Sequence, residues 1–600
     1  MDYRLTVPFG LCFALMAAVS LITTVGVFFL QPRENRNVFK ACAETFGAVF
    51  ILNMLPIFIL TLFVFFASGH AFTACCTAAF SVLLLAAVNR YMSELRFAPF
   101  KPLDILLSAE FFGVAKSMKT SVFVMFGSAA ALFFTLIFMG LIFIKNGPVG
   151  FWTRITGASA AAVFFIAIVK TIYANKKIYG SLPVYGDKSD ENMHMQSKGF
   201  IYYYLNIINK SKVSEPNFYN EFKSKITVKE QASVNRQEKI LKPNIIMVLS
   251  EGFSELPLNP GLLFDGFTDP LFNYKKIKSE SISGQIIVPR VGGGTSDTEF
   301  DILTGINTRD FNNLPFSFRL IKKQFPGMAS ALAANGYKTV CMHPGSGWFY
   351  RRKTVYPFMQ FKNFIDIDAY PKKEYSGGYV SEKTTMDFLI ESYRNHLQKN
   401  TDENYFAFCI TIQNHGPYAG KYGANKNFGG EINFTSDEID SLSNYFYGLA
   451  DCDRELLRLT QYLKKTDEPS ILVYFGDHLP TMSPQIFKKL LPNEKPAPFN
   501  RLPYFIWAND AARGIIETAC LQTPLPRVMS AHYLGALILQ LTGMDEADVL
   551  LKFLNEIRNK YPIVTEDQFT DAAGNLSDID LYRQTDIALH KAWGYHRIKK

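Results

Sequence analysis

Five long runs without a charged side chain in their interiors, all within the first 175 residues, constrain this chain more than any other feature. Roughly 20 apolar residues in a helix cross the hydrocarbon core of a bilayer, where each backbone amide must be bonded within its own segment. Between Arg4 and Arg33 there is no charge, and Val7 to Leu30 is long enough to span. From Thr45 to Asn89 the only titratable side chains are His70, Cys75 and Cys76, and Ser68-Gly69-His70 offers a tight reversal, so two spans are expected over 45–67 and 71–89. Thr120 to Ile144 is a fourth run and Phe151 to Ala174 a fifth, with Arg154 and Lys170 near enough to its ends to snorkel. The first run exceeds the 7–15 residue core of a signal peptide and four more follow it, so it reads as a retained span. An N-terminal all-α five-helix transmembrane domain over 1–175 is expected, with the two termini on opposite faces.

The charge count bears on orientation. With the N-terminus inside, the inner segments carry Arg4, Lys145 and Arg154, and the outer loops carry Arg33, Arg36, Lys40, Arg90, Arg96, Lys101, Lys116 and Lys119. By the positive-inside rule this count opposes an external C-terminal domain. Part of that charge belongs to an amphipathic stretch, Asp104 to Lys116, that reads as lying in the interface against anionic headgroups. The net charge of +9 suits a protein working on acidic lipid and suits ordinary basic membrane proteins equally; nothing points to nucleic acid. Four of the eight cysteines lie in the first 89 residues. The others, Cys341, Cys409, Cys452 and Cys520, show no metal-type pairing, and their spacing leaves the disulfide state open.

Residues 176–242 are polar and rich in Lys and Asn, with an aromatic cluster at Tyr202-Tyr203-Tyr204 and a helical stretch around Asn217 to Ala232, and read as a connector. Next comes Asn244-Ile-Ile-Met-Val-Leu-Ser250, a short apolar run with the signature of a buried parallel strand. Similar runs recur at Tyr337–Met342, Tyr405–Ile412 and Ile471–Phe475, separated by helical periods at Gly327–Asn335 and Ser436–Lys464. Strands alternating with helices predict an α/β domain over 243–545, its mostly parallel sheet flanked by helices, followed by a charged helical extension over 546–600.

In such sheets ligands bind beyond the carboxyl ends of the strands. The runs are followed by Glu251, by Gly292-Gly-Gly-Thr295 after the next apolar segment, by His343, by Asn414-His415-Gly-Pro and by Gly476-Asp477-His478. Each alone has a structural explanation as a cap or turn residue; five delivered to one edge are harder to explain that way. Two carboxylates, a hydroxyl and an imidazole are a donor set for Mn²⁺, Mg²⁺ or Zn²⁺. Three glycines before Thr295 allow close approach to a phosphate, and a hydroxyl at a helix start beside a cation is placed to attack phosphorus. Ser296 and Glu299 form a capping-box pattern and are assigned to capping that helix.

Taken in order, the segments Asn244 to Glu251, Gly292 to Phe300, Phe349-Tyr-Arg-Arg352 with Tyr356 and Phe364, Asn414 to Tyr418, and Phe475 to His478 resemble the motif set of lipoteichoic acid synthases and related phosphoglycerol transferases, within the sulfatase and alkaline phosphatase superfamily. The resemblance runs from about 243 to 545. It implies a sulfatase-like fold in which Glu251, Thr295, Asp477 and His478 bind one divalent cation, Mn²⁺ foremost, with Thr295 as the nucleophile. It implies phosphatidylglycerol as donor, a glycan or glycolipid as acceptor, His343, Arg352 and His415 around the headgroup, and a catalytic domain on the extracytoplasmic side of the cell membrane. Tyr350-Arg351 stands where lipoteichoic acid synthases have Trp-Asn, and Leu479-Pro480 follows the Asp-His pair; both departures bear on headgroup and polymerisation. The formylglycine-type cysteine motif of true sulfatases is missing from the sequence. Phosphoethanolamine transfer to lipid A or glycan, a membrane-bound phosphohydrolase and a non-catalytic sensor are the competing readings.

Overall fold

The computed structural model describes residues 5–31, 36–96, 99–102, 104–105, 120–146, 149–185, 191–210, 213, 215–216, 218–231, 242–265, 268–290, 292–311, 317–399, 402–491, 500–523, 525–565, 568–571, 574–578 and 586–600. The chain forms two compact units, Met1–Lys212 and Val213–Lys600.

The first unit is built on α1 (Phe9–Leu30), α2 (Arg36–Ser68), α3 (Ala71–Arg96), α4 (Thr120–Phe143) and α5 (Phe151–Ile168). Five stretches on these helices, Phe9–Leu30, Gly47–Ser68, Ala71–Ser93, Val124–Phe143 and Phe151–Tyr173, are long and apolar enough to cross a membrane. Hydroxyls inside them are satisfied locally, Ser20, Thr24 and Thr61 each donating to the carbonyl four residues back at 2.7–2.8 Å. Arg154 donates to Phe66 O at 3.3 Å and Ala67 O at 2.5 Å, satisfying orphan carbonyls at the end of α2. Most of the amphipathic interfacial stretch, 106–116, lies outside the described residues.

The segment read as a connector is divided between the two units. Tyr202, Tyr203 and Tyr204 are buried in the first unit. There Asn53 of α2 accepts from Tyr202 N at 3.0 Å and donates to Lys198 O at 3.0 Å. The helix α6 (Tyr219–Gln231) belongs to the second unit.

The second unit centres on one eight-stranded sheet. Its strands are β1 (Asn244–Ser250), β2 (Ile282–Ile287), β3 (Tyr337–Met342), β4 (Asn363–Ile365), β5 (Asn404–Ile410), β6 (Ser470–Gly476), β7 (Arg501–Ala508) and β8 (Val528–Ser530). They lie in the order β8-β2-β7-β6-β1-β5-β3-β4. Every residue of β1 and β6 is buried, as continuous apolar runs demand at the middle of a parallel sheet. All neighbours are parallel except β7, which runs antiparallel to both β6 and β2. Its Pro503 would disqualify most central strands. Here the last pairing with β6 is Tyr504 with Phe475, and the facing Gln285 turns its N–H to Arg527 O at 3.0 Å, so no ladder bond is lost at Pro503.

The register sets the site. Ser250 pairs with Gly476, so Glu251 and Asp477 leave the sheet side by side. Helices pack around this sheet, among them α7 (Thr295–Thr304), buried along its whole length, and α8 (Ser436–Lys464), which opens on a capping box between Thr435 and Glu438. The C-terminal helix α9 (Asp586–Lys599) packs into the same core: Trp593 is fully buried and its Nε1 donates to Glu230 of α6 at 3.0 Å.

Candidate active site

At the carboxyl edge of β1 and β6 the chain brings four of the expected residues together. Thr295 begins α7 after Gly292, Gly293 and Gly294, whose φ angles of 64°, 132° and 84° lie in the region that favours glycine. The Thr295 hydroxyl donates to Asp477 Oδ2 at 2.8 Å. Asp477 Oδ1 accepts from Gly252 N at 2.8 Å, and its backbone carbonyl accepts from the Thr298 hydroxyl at 2.8 Å. Glu251 is fixed by its own N–H, which donates to Thr411 Oγ1 at 3.1 Å. One ligand atom each from Glu251, Asp477 and His478 lie within 4.8 Å of one another, and all three residues are buried.

The chemistry of this cluster fits a cation. His478 Nδ1 stands 2.9 Å from Leu479 O and donates there, which leaves the lone pair of Nε2 without a hydrogen-bond partner. That nitrogen faces Asp477 Oδ2 at 3.0 Å and Glu251 Oε1 at 3.5 Å. That nitrogen and the two buried carboxylates are together a donor set that a divalent cation would complete. Burial raises the Glu251 carboxyl to about 8 and the nearby Asp477 adds to it, against the opposing pull of His478, Lys421 and Arg352.

The capping role expected of Glu299 is not what the structure uses. Helix α7 is capped by Gly294 in the left-handed conformation, with no side-chain bond to the free amides. Glu299 is fully buried and accepts from Arg352 Nη2 at 2.5 Å and from the Tyr356 hydroxyl. A carboxylate at the third position of a helix fits the capping pattern, but burial of its face turned this one toward Arg352, whose guanidinium neutralises it. Asp297 braces the neighbouring turn, accepting from Arg290 Nε at 2.7 Å and from Ser317 N and Oγ, both at 2.8 Å. Ser317 carries no spacing signal that could announce its contact with Asp297, and the motif that includes Tyr356 gives no sign that Glu299 is its partner.

The three residues expected around a headgroup are differently placed. Arg352 is 2% exposed, and one edge of its guanidinium is committed to Glu299. His343 follows β3, is buried, and has no partner for Nδ1; burial, with Arg352 adding, holds its pKa well below the ordinary range. His415 is exposed, its Nδ1 2.7 Å from Gly416 O and 3.3 Å from the Tyr379 hydroxyl. Between them Tyr350 and Arg351 adopt φ of 54° and 59°, two consecutive non-glycine residues in the left-handed region, a costly conformation that clusters at functional sites.

Fold and donor set define a membrane-anchored α/β protein with one candidate metal centre among the described residues. A family model described as Sulfatase matches residues 243–544, half of the chain, and the chain belongs to that family. A putative cyclic beta-1,2-glucan modification protein of Rhizobium meliloti (strain 1021) is 26% identical over 280 residues, covering 45% of this chain and 42% of that protein. The chain spans between 33% and 59% of the length of the curated relatives it matches. Among solved structures, the integral membrane lipooligosaccharide phosphoethanolamine transferase A of Neisseria meningitidis aligns over 91% of this chain and 99% of its own, at 14% identity and a TM-score of 0.53. The phosphoglycerol transferase GacH of Streptococcus pyogenes, solved with sn-glycerol-1-phosphate, covers 64% of this chain and 94% of its own at 22% identity and a TM-score of 0.48. The likeness to the Neisseria protein shows a shared fold.

Proposed function

We propose that this protein transfers phosphoglycerol from phosphatidylglycerol to an envelope glycan or glycolipid through a phosphothreonine at Thr295. The observation that carries the reading is the Thr295 hydroxyl, held at the start of α7 and donating to Asp477 Oδ2 at 2.8 Å beside the unpartnered lone pair of His478. Glu251, Thr295, Asp477 and His478 would hold one divalent cation, Mn²⁺ foremost, with Mg²⁺ and Zn²⁺ fitting the same donors. When bound, the cation lowers the pKa of the threonine hydroxyl and neutralises charge on the phosphoryl group.

In the first half-reaction Thr295 Oγ1 gives up its proton and forms a bond to phosphorus. The bond from phosphorus to the diacylglycerol oxygen breaks, and that oxygen takes up a proton as it leaves. In the second half an acceptor hydroxyl gives up its proton and bonds to phosphorus, the bond from phosphorus to Thr295 Oγ1 breaks, and Oγ1 takes up a proton. The positive end of α7 favours the oxyanion at its start, while His343, Arg352 and His415 surround the headgroup. The description of the Rhizobium relative as a glucan modification protein supports a glycan acceptor. In this reading the catalytic domain works on the extracytoplasmic face of the cytoplasmic membrane, where lipid donor and envelope glycan meet.

The test is incubation of the full-length protein in detergent with Mn²⁺ and headgroup-labelled phosphatidylglycerol, followed by mapping of covalent label. Label at Thr295, lost together with turnover in Thr295→Ala, is the expected result. Turnover retained in Thr295→Ala refutes the nucleophile. Label from phosphatidylethanolamine alone changes the headgroup, and free glycerol phosphate without labelled enzyme or acceptor makes the protein a hydrolase.

A further inference from the structure

The loop that follows β5 is built around one lysine that the proposed transfer does not use. Lys421 Nζ donates to Gln413 O at 2.5 Å and to His415 O at 2.6 Å, gripping the chain on both sides of Asn414. The rings of Tyr379, Tyr422 and Tyr418 surround the ammonium, their centroids 4.9, 5.0 and 5.8 Å away. The stem rests on the turn at Gly377, where φ is +57° and a Cβ would fall 2.5 Å from Lys421 Cε. Burial pulls the ammonium down to about 8, opposed by Glu251 first and then by Cys452 and Glu382.

These surroundings make Lys421 more than a surface residue folded inward. A cation desolvated among aromatic rings is costly unless charge and hydrogen bonds compensate it. The carboxylates that interact with it are Glu251, of the candidate metal centre, and Glu382, a buried residue that accepts from Cys452 Sγ at 3.0 Å. The carbonyls it grips belong to the turn from which His415 projects. One side chain thus holds the turn that carries the imidazole expected at the headgroup and interacts electrostatically with Glu251 of the candidate metal centre.

We propose that Lys421 is a positioning residue with two separable effects: its donors fix the Gln413–His415 turn and so aim His415 at the donor headgroup, and its charge offsets that of Glu251. The first effect rests on the reading of this centre as a site of phosphoglycerol transfer; the second does not.

Three variants of the full-length protein separate the effects. Lys421→Met removes donors and charge, Lys421→Gln keeps a donor without the charge, and Lys421→Arg keeps both. The readouts are KM and kcat for phosphatidylglycerol in detergent micelles, the dissociation constant of Mn²⁺ measured by electron paramagnetic resonance without donor, and a melting curve. KM is expected to follow the donors, rising about tenfold in Lys421→Met with a smaller change in kcat, and recovering most of that loss in Lys421→Arg. Mn²⁺ affinity is expected to follow the charge, tightening about three- to tenfold in Lys421→Met and Lys421→Gln and staying near wild type in Lys421→Arg. A residue serving only to fill space would weaken or leave unchanged the binding of Mn²⁺. Lys421→Met with unaltered KM and unaltered Mn²⁺ binding overturns the proposal, as does Lys421→Arg impaired as deeply as Lys421→Met. If Lys421→Met fails to fold, Lys421→Gln and Lys421→Arg carry both comparisons. If the wild-type protein turns over no donor, the transfer reading fails, and the Mn²⁺ series still decides the charge effect.

Discussion

Removing Glu299 should damage the second unit more than any other single change at the edge of the site. Its carboxylate and the Arg352 guanidinium are 0% and 2% exposed, and their closest contact is 2.5 Å, with a second approach of 3.5 Å from Nε to Oε2. Breaking a buried pair by deleting one partner costs about 3–5 kcal/mol, because the survivor is left charged and uncompensated, whereas replacing both by apolar groups of similar volume costs little. Glu299→Leu also strands the Tyr356 hydroxyl, which donates to the same carboxylate, at a further cost of about 1–2 kcal/mol. Arg352→Met leaves the Tyr356 bond in place and should lose less. The expected pattern is a loss of about 4–6 kcal/mol for Glu299→Leu, about 3–4 for Arg352→Met, and a double variant less damaged than their sum by about 2–3. Urea unfolding of the full-length protein in detergent, followed by fluorescence of the tryptophans of the second unit, Trp348, Trp507 and Trp593, measures all three. Single losses under about 1 kcal/mol, or a double variant equal to the sum, would refute the claim that the pair is an internally compensated unit.

Three other outcomes follow from local geometry. His590 is buried with Nε2 on Gly305 O at 2.8 Å, and burial lowers its pKa from 6.5 to about 4, so its stabilising contribution is present above pH 6.5 and is lost as pH falls toward 4. That contribution is about 3 kcal/mol, and His590→Gln, which keeps a donor to Gly305, should flatten the acid limb of a stability–pH curve. At Gly448 in α8 a Cβ would stand 2.0 Å from Asn414 Oδ1, so Gly448→Ala should lower transfer by displacing the 414–416 turn, and should fail to gain the roughly 1 kcal/mol that alanine normally adds to a helix; a faster, more stable variant would show that the turn tolerates the shift. Arg351→Asn, at an exposed residue with φ of 59°, should raise stability by about 1 kcal/mol, since asparagine tolerates the left-handed conformation, and an unchanged unfolding midpoint would locate the strain elsewhere.

What could be read in advance followed the strength of the local signal. The membrane helices were legible because a bilayer admits little besides long uncharged helices, and β1 and β6 because an apolar run of seven buried residues has few other uses. That Glu251, Asp477 and His478 would come together was legible, because they directly follow two such runs. The strand β7 escaped, since Pro503 and the polar flank of Arg501 disguise it until its register against β2 is known. Glu299 was misassigned because a capping pattern and a buried ion pair look alike from one side; only the fold brings Arg352 to it. Lys421 gave no signal, because its neighbours come from Tyr379, Gln413 and Glu251, each in a different segment.

The central pairing of β1 with β6 has a consequence for how the protein acquires its shape. Glu251 and Asp477 are neighbours in space but stand roughly 220 residues apart in sequence, so the site cannot exist until most of the second unit has been made and its middle strands have zipped together. A chain emerging from its first strand onward must hold β1, a largely apolar segment with two bare edges, until β5 and β6 arrive to flank it. That interval is when the unfinished domain is most exposed to sticking, and it makes assembly of the candidate metal centre a reporter of the last stage of folding.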